Sequence, residues 1–372
     1  MTSSSRTTEG PIRFIHHYAS QHCDNYQCYN NNNDTLSYHL SQDHFNDILN
    51  NIVRPAFSQH QHPALDTMRY KYYDPTKDSD YLENQPWKEN THGYDQAHVV
   101  EWIVDACPLS KLSHYLPQLI PPMLLIMDDY DVNYKIRGVD ILHKIVQKVP
   151  DDDHDTITAL THVDSVFIAT LFNCLTYISD ESHLPLVKAS YPCMMDLISK
   201  TKPLGSQQRA KLYEKIIVDG IIMGLKLGRY TISLRQILFG QLSRIYAEMG
   251  VLGVQYLKVI LAALMEALTV PSLQLNKAAL EALQTIIQIC WPRIPGYRTM
   301  LLKGLAVSWQ FYYTKEKAVG DEMRQLLKET VRLYRLACKG TENADIDALL
   351  EFNPSIYSPL LLIDSTSSTA SS

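Results

Sequence analysis

From about Asp95 onward the chain is a train of apolar segments, each ~12–20 residues long and each closed by Pro, Gly or a polar cluster. The clearest segment places Leu275, Ala279, Ala282, Leu283, Ile286, Ile287 and Cys290 on one face at helical spacing. A second runs from Val139 through Leu142 and Val146 to Val149, and a third from Met323 through Leu326, Leu327, Val331 and Tyr334 to Cys338. Sustained alternation of a strand type is absent. Breakers such as Pro108, Pro150, Pro203, Gly228, Pro271 and Gly320 divide residues 95–340 into about eleven helices, or about five pairs of roughly 45–50 residues each, close to the two-helix repeat period of ~40–47. This predicts an all-α chain, a HEAT/armadillo-like α-solenoid of stacked antiparallel helix pairs, in which each pair buries its face on the next. An irregular all-α globule is the plainer alternative.

Composition narrows the function classes. A net charge of −6 argues against a generally basic surface for nucleic acid or anionic membrane. Only 14 of 372 residues are Gly, about 4% against a usual ~7%, which is poor material for phosphate-gripping loops. The seven cysteines are odd in number and widely spaced, so no disulfide framework is implied and a reducing compartment fits. The N-terminus lacks an apolar core of signal-peptide type, and no apolar run approaches the ~20 residues that span a bilayer.

The flanks read differently. Residues 1–35 are rich in Ser, Thr, His and Asn and are expected to be a disordered arm. Residues 36–94 read as a weak helix, Leu36 to Phe57, followed by an irregular linker carrying Pro63, Pro75 and Pro86. Residues 341–363 end in an apolar run expected to dock on the last helices or on a partner, and 364–372 form a Ser/Thr-rich tail expected to be disordered.

Enzyme signatures are missing: no G-x-x-x-x-G-K-[ST], G-x-G-x-x-G, H-E-x-x-H or G-x-S-x-G occurs. His114, His143 and His162 sit at no catalytic spacing. The group His16, His17, His22, Cys23 and Cys28 has metal-ligand chemistry but lacks the paired short spacings of zinc sites, so compositional bias explains it and no metal is expected. Asp151, Asp152, Asp153 and Asp155 suit a helix start rather than a calcium loop. Gly220, Gly224 and Gly228 share one helix face, as close approach of a neighbouring helix requires. Arg324, Lys328, Arg332, Arg335 and Lys339 line another face, which reads first as solvated, next as a patch for an acidic partner and last as a nucleic-acid surface, because no aromatic platform interleaves it.

The most informative stretch reads PPMLLIMDDYDVNYKIRGVDILHKIV from Pro121 to Val146. Physically it is one helical hairpin. Pro121 and Pro122 break or kink the first helix, and Asp128, Asp129, Tyr130 and Asp131 make the turn. Asp131 suits an N-cap, because its carboxylate can accept unpaired backbone N–H groups. Lys135, Arg137 and small Gly138 follow early in the second helix. In HEAT repeats, a turn Asp and an early Arg can form a ladder with adjacent repeats, and small residues let the helices approach. A purely structural role leads for these residues.

The words PP-x-L-x-x-x-DDY and K-x-RG resemble the Tel-two-interacting protein two family. A second block, CWPRI from Cys290 to Ile294, ahead of an apolar helix with Leu301, Leu302, Gly304, Leu305 and Trp309, is similar to the C-terminal part of that family. The resemblance implies a non-enzymatic α-solenoid without cofactors. It implies the smaller scaffold subunit of the TTT co-chaperone complex, beside Tel-two and a large HEAT-repeat subunit. Through Hsp90 and the R2TP adaptor, that complex supports the maturation and stability of phosphatidylinositol-3-kinase-related kinases, including TOR and DNA-damage-checkpoint kinases. Nucleic acid and membrane are not expected partners, and both cytoplasm and nucleus are expected locations. Matched to the family words, Asp128, Asp129, Tyr130, Lys135, Arg137, Gly138, Trp291, Pro292 and Arg293 are the structural or partner-binding candidates. Trp291 and Arg293 are the better anchors if exposed. A transport or cargo adaptor of the same architecture is the alternative, weakened because Trp87, Trp102, Trp291 and Trp309 follow no fixed period.

Overall fold

A computed structural model describes residues 6–23, 32–58, 85–228, 231–315 and 317–361. Among these residues there is no strand, and helices pack on helices throughout. The chain divides into two compact units, residues 1–177 with 185–204, and residues 178–184 with 205–372.

The first unit is a run of paired helices. Its regular part comprises α3 (Gln96–Ala106), α4 (Leu109–Met127), α5 (Val132–Lys148), α6 (His154–Cys174) and α7 (Leu184–Thr201). Acidic caps open three of them. Asp95 closes a capping box with His98 at the start of α3, Asp131 accepts from the Asn133 N–H at 2.9 Å ahead of α5, and Asp153 accepts from the Thr156 N–H at 3.0 Å ahead of α6. Each satisfies a first-turn donor that has no partner within the helix. The short turns at 107–108 and 128–131 make antiparallel neighbours of α3, α4 and α5. Alternate helices then stack: α3 packs on α5 and α4 on α6. α5 meets α7 through His143 Nε2 and Asp196, 2.7 Å apart. Two layers, α3–α5–α7 and α4–α6, result.

Pro121 and Pro122 do not break the first helix of the hairpin. α4 runs through Pro117, Pro121 and Pro122 to Met127. Its C-terminal half, Met123 to Met127, is buried, so packing holds the helix where prolines remove backbone donors.

The N-terminal arm also departs from expectation. Arg6–His22 is a helix, α1, that buries Phe14, Ile15, Tyr18 and Ala19. Phe14 lies 5.4 Å from the rings of both Trp102 and Tyr94. The close pass of α1 over α3 needs Gly10, where an added Cβ would fall 1.9 Å from the His98 ring. Polar composition hid one apolar stripe whose partners lie far along the chain. α2 (Asn33–Asp43) follows, capped by Asn32, and helical backbone continues through residues 45–58, with a π turn at Leu49–Val53. The expected linker falls mainly on residues 59–84, outside the described residues. Its end is docked, since Trp87 is buried between Phe57 and Tyr134, with ring centroids 5.5 and 5.0 Å away.

The second unit contains α8 (Gln207–Lys215), which continues through a π turn (Ile216–Ile222) into Met223–Leu227. Then come α9 (Ile232–Met249), α10 (Leu257–Leu268), α11 (Leu273–Cys290), α12 (Arg298–Tyr313), α13 (Lys317–Cys338), α14 (Asn343–Phe352) and α15 (Pro354–Leu361). Again alternate helices stack: α9 on α11 on α13, and α10 on α12 on α15. Of the glycine ladder, Gly224 and Gly228 lie against Leu238 and Leu234 of α9, where added Cβ atoms would come within 2.9 and 2.2 Å. The last two helices seal this unit. Leu360 and Leu361 are buried, the buried Trp309 indole donates to the Ile356 carbonyl at 2.7 Å, and Arg335 donates to the Leu361 carbonyl at 2.8 Å. The Ser/Thr tail, from residue 362, lies outside the described residues.

Two stretches, His154–Cys174 and Ile232–Leu268, are long and apolar enough to cross a bilayer by length and composition, contrary to the sequence expectation. In the fold their apolar faces meet neighbouring helices: Phe167 and Leu171 are buried in the first, and Leu238, Leu242 and Leu264 in the second. The second is also interrupted by Gly250 at φ +52 and a 3-10 turn.

Candidate partner-binding site

The hairpin residues of the first unit are mostly consumed inside it. Arg137 NH1 donates to both carboxylate oxygens of Asp95, at 3.3 and 3.2 Å, and the guanidinium lies 3.7 Å from Glu101. Asp95 also accepts from the Tyr134 hydroxyl at 2.9 Å and from the His98 backbone at 3.0 Å. Burial alone would raise this carboxyl, but hydrogen bonding with His98 and the Arg137 charge outweigh it and hold the pKa at about 2. Burial and the adjacent Asp95 carboxylate push the Tyr134 phenol well up, so it stays protonated as a donor. The ladder partner of Arg137 is thus the cap of an earlier helix in the same layer, not an Asp of its own turn.

The remaining motif residues sort by role. Asp129 is buried, accepts from the Asp131 N–H at 2.7 Å, and lies 2.6 Å from Lys88 Nζ, which ties the docked end of the linker to this turn. Lys135 is buried and donates to the Met127 carbonyl at 3.1 Å, satisfying the end of α4. Gly138 allows α5 to press against α4, because a Cβ there would sit 2.8 Å from the Met127 backbone nitrogen. Asp128 and Tyr130 are exposed on the turn. Lys88 Nζ sits 4.0 Å above the Tyr130 ring, within cation–π range. Lys88, Asp95 and Tyr134 escaped the sequence reading, because nothing in local spacing pairs residues some forty positions apart.

The second block faces outward. Trp291, Pro292 and Arg293 open a 3-10 turn (Trp291–Tyr297) after α11, and all three are exposed, while Ile294 is buried beneath them. Trp291 is 47% exposed, with Lys339 Nζ 4.6 Å from its ring centroid. The indole rims a groove of ≈ 250 Å³ lined by Ile287, Gln288, Leu333, Leu336 and Ala337. Leu336 is 61% exposed there. The basic stripe on α13 is largely engaged: Arg324 binds the Tyr312 carbonyl at 2.8 Å, Arg332 pairs with Glu329 at 2.6 Å, and Arg335 holds α15. An apolar, cation-rimmed groove built around a half-exposed Trp is suited to docking another protein surface.

A family model described as the Tti2 family matches residues 15–275. The chain belongs to the Tti2 family. It is 28% identical over 235 residues to TELO2-interacting protein 2 of Rattus norvegicus and over the same length to that of Mus musculus. The human TELO2-interacting protein 2 is 28% identical over 234 residues. Each comparison covers 60% of this chain and 43% of the relative, so the chain matches under half the length of these Tti2 relatives. No solved structure matches the chain. The Tti2 match includes α1 and the Pro121–Val146 hairpin, whereas the Trp291 block lies beyond it.

Proposed function

We propose that this chain is a non-enzymatic scaffold subunit of a TTT-like co-chaperone complex. In this reading it joins Tel-two and a large HEAT-repeat subunit, and through Hsp90 and the R2TP adaptor it supports the maturation and stability of phosphatidylinositol-3-kinase-related kinases. Its place of work is the cytoplasm and the nucleus. Family membership supports the assembly, and the names of the mammalian relatives describe a TELO2 interaction. The observation that carries the mechanism is the contrast between the two motif blocks. The first spends its charges on internal bonds, and the second leaves Trp291 half-exposed over an apolar groove. A helical stack presenting such an anchor binds surfaces and needs no reaction chamber. Co-purification tests the reading. The tagged chain, isolated at gentle salt from its own cells, should carry stoichiometric Tel-two and the large HEAT subunit; isolation without them refutes it.

A further inference from the structure

Where the end of α1 meets the end of α2, three metal-ligand side chains converge. Cys23, the residue after α1, has its Sγ 3.7 Å from Nε2 of His44, in the junction that follows α2. With a ring nitrogen of His39, on α2, these donor atoms all lie within 4.8 Å of one another. A tetrahedral zinc ion with ordinary bond lengths separates its sulfur and nitrogen ligands by about 3.6 Å and two nitrogens by about 3.4 Å. The Cys23–His44 pair already has that spacing, and the His39 nitrogen needs to close by at most about 1.4 Å.

The hydrogen bonds around the cluster set its chemistry. The Asp43 carboxylate lies 2.9 Å from His39 Nδ1. A carboxylate accepts, so Nδ1 donates to it, the carboxylate–histidine pairing that orients an imidazole whose other nitrogen meets a metal. Cys23 Sγ and His44 Nε2 face each other across 3.7 Å, a gap that one cation can bridge. Among the described residues Cys23 is the one cysteine that is not buried. The other histidines of the N-terminal group are engaged elsewhere. His16 meets Asn33 at 2.7 Å, His17 stacks on His92 at 4.0 Å, and His22 donates from Nδ1 to the Tyr18 carbonyl at 3.0 Å. Of the sequence grouping only Cys23 joins this cluster among the described residues, and Cys28 lies outside them.

We propose that Cys23, His39 and His44 bind a borderline divalent transition metal, zinc by ligand chemistry, with water completing the tetrahedron. One thiolate and two imidazoles suit zinc and disfavour calcium or magnesium, which take oxygen ligands. The ion would staple the C-terminal end of α1 to the junction after α2.

Cobalt substitution in the reduced, chelator-stripped full chain tests this. Cobalt chloride should produce a thiolate-to-metal charge-transfer band in the near ultraviolet, and zinc chloride should displace it. Cys23→Ser should abolish the band. Asp43→Asn, at an exposed position, should weaken zinc binding by about 10- to 100-fold. His39→Gln, with the ring partly exposed, should weaken it at least as much and covers the case in which Cys23→Ser fails to fold. Absence of the band in the native chain, its survival in Cys23→Ser, or an unchanged zinc affinity in His39→Gln overturns the site.

Discussion

Arg137, early in α5, reaches back across forty-two positions to the carboxylate of Asp95, with NH1 3.2 Å from Oδ2. The pair is almost closed to water, and Asp95 is at the same moment the cap of α3. One carboxylate therefore starts one helix and fastens another.

Arg137→Ala strands that carboxylate, and by the usual cost of opening a buried charged hydrogen bond it should destabilise the first unit by about 2–3 kcal/mol. Urea unfolding followed by circular dichroism measures it. A double-mutant cycle with Asp95→Asn should show coupling, and additivity of the two losses would remove the pair from the account.

The same carboxylate should shape acid stability. Its pKa lies at about 2 in the fold, against an ordinary 3.8. A carboxyl depressed in the native state contributes stability above its unfolded value, and that contribution fades as pH falls through the folded one. The difference corresponds to about 2 kcal/mol, lost between roughly pH 4 and pH 2. Melting temperature against pH should fall less steeply over that window in Asp95→Asn than in the native chain.

Two glycines should answer alanine with opposite signs. At Gly138 the new methyl meets the Met127 backbone, so the helix gain is overridden and Gly138→Ala should cost about 1–3 kcal/mol. At Gly240, exposed within α9 with nothing in reach of a Cβ, Gly240→Ala should stabilise by about 0.5–1 kcal/mol. Equal effects in thermal melts would show that close approach is not what Gly138 provides.

Trp291→Ala should leave the melting temperature within a few degrees, because the indole is half in water, yet weaken partner binding by tenfold or more if it anchors the interface. Calorimetric titration against the purified large HEAT subunit separates the two readouts. A large loss of stability with unchanged binding would move this residue into the structural class.

Much of the helical frame was legible because helices carry their own local signals. The 3.6-residue stripe of Leu275–Cys290 and the capping Asp131 both appear where expected. The role of Arg137 as a strut between elements was legible too, but its partner was not. Asp95 is remote in sequence, and only the register of α3 against α5 brings it within reach. α1 was missed for a related reason. Phe14, Ile15 and Tyr18 form a stripe amid polar residues, and its value depends on Trp102 and Tyr94, more than seventy residues away. Prolines misled in the other direction at α4, where burial of Met123 to Met127 maintains a helix that local propensity would end. The Cys23–His39–His44 cluster has no linear signature, since its members come from separate segments.

The hold of Ile356 and Leu361 on Trp309 and Arg335 has a consequence for the life of the molecule in the cell. Loss of the segment that follows Phe352 would bare a large indole with an unmet N–H and open the flank of α12. Such a product would display the kind of surface that degradation machinery engages, so the abundance of the chain rests on the turns of α15.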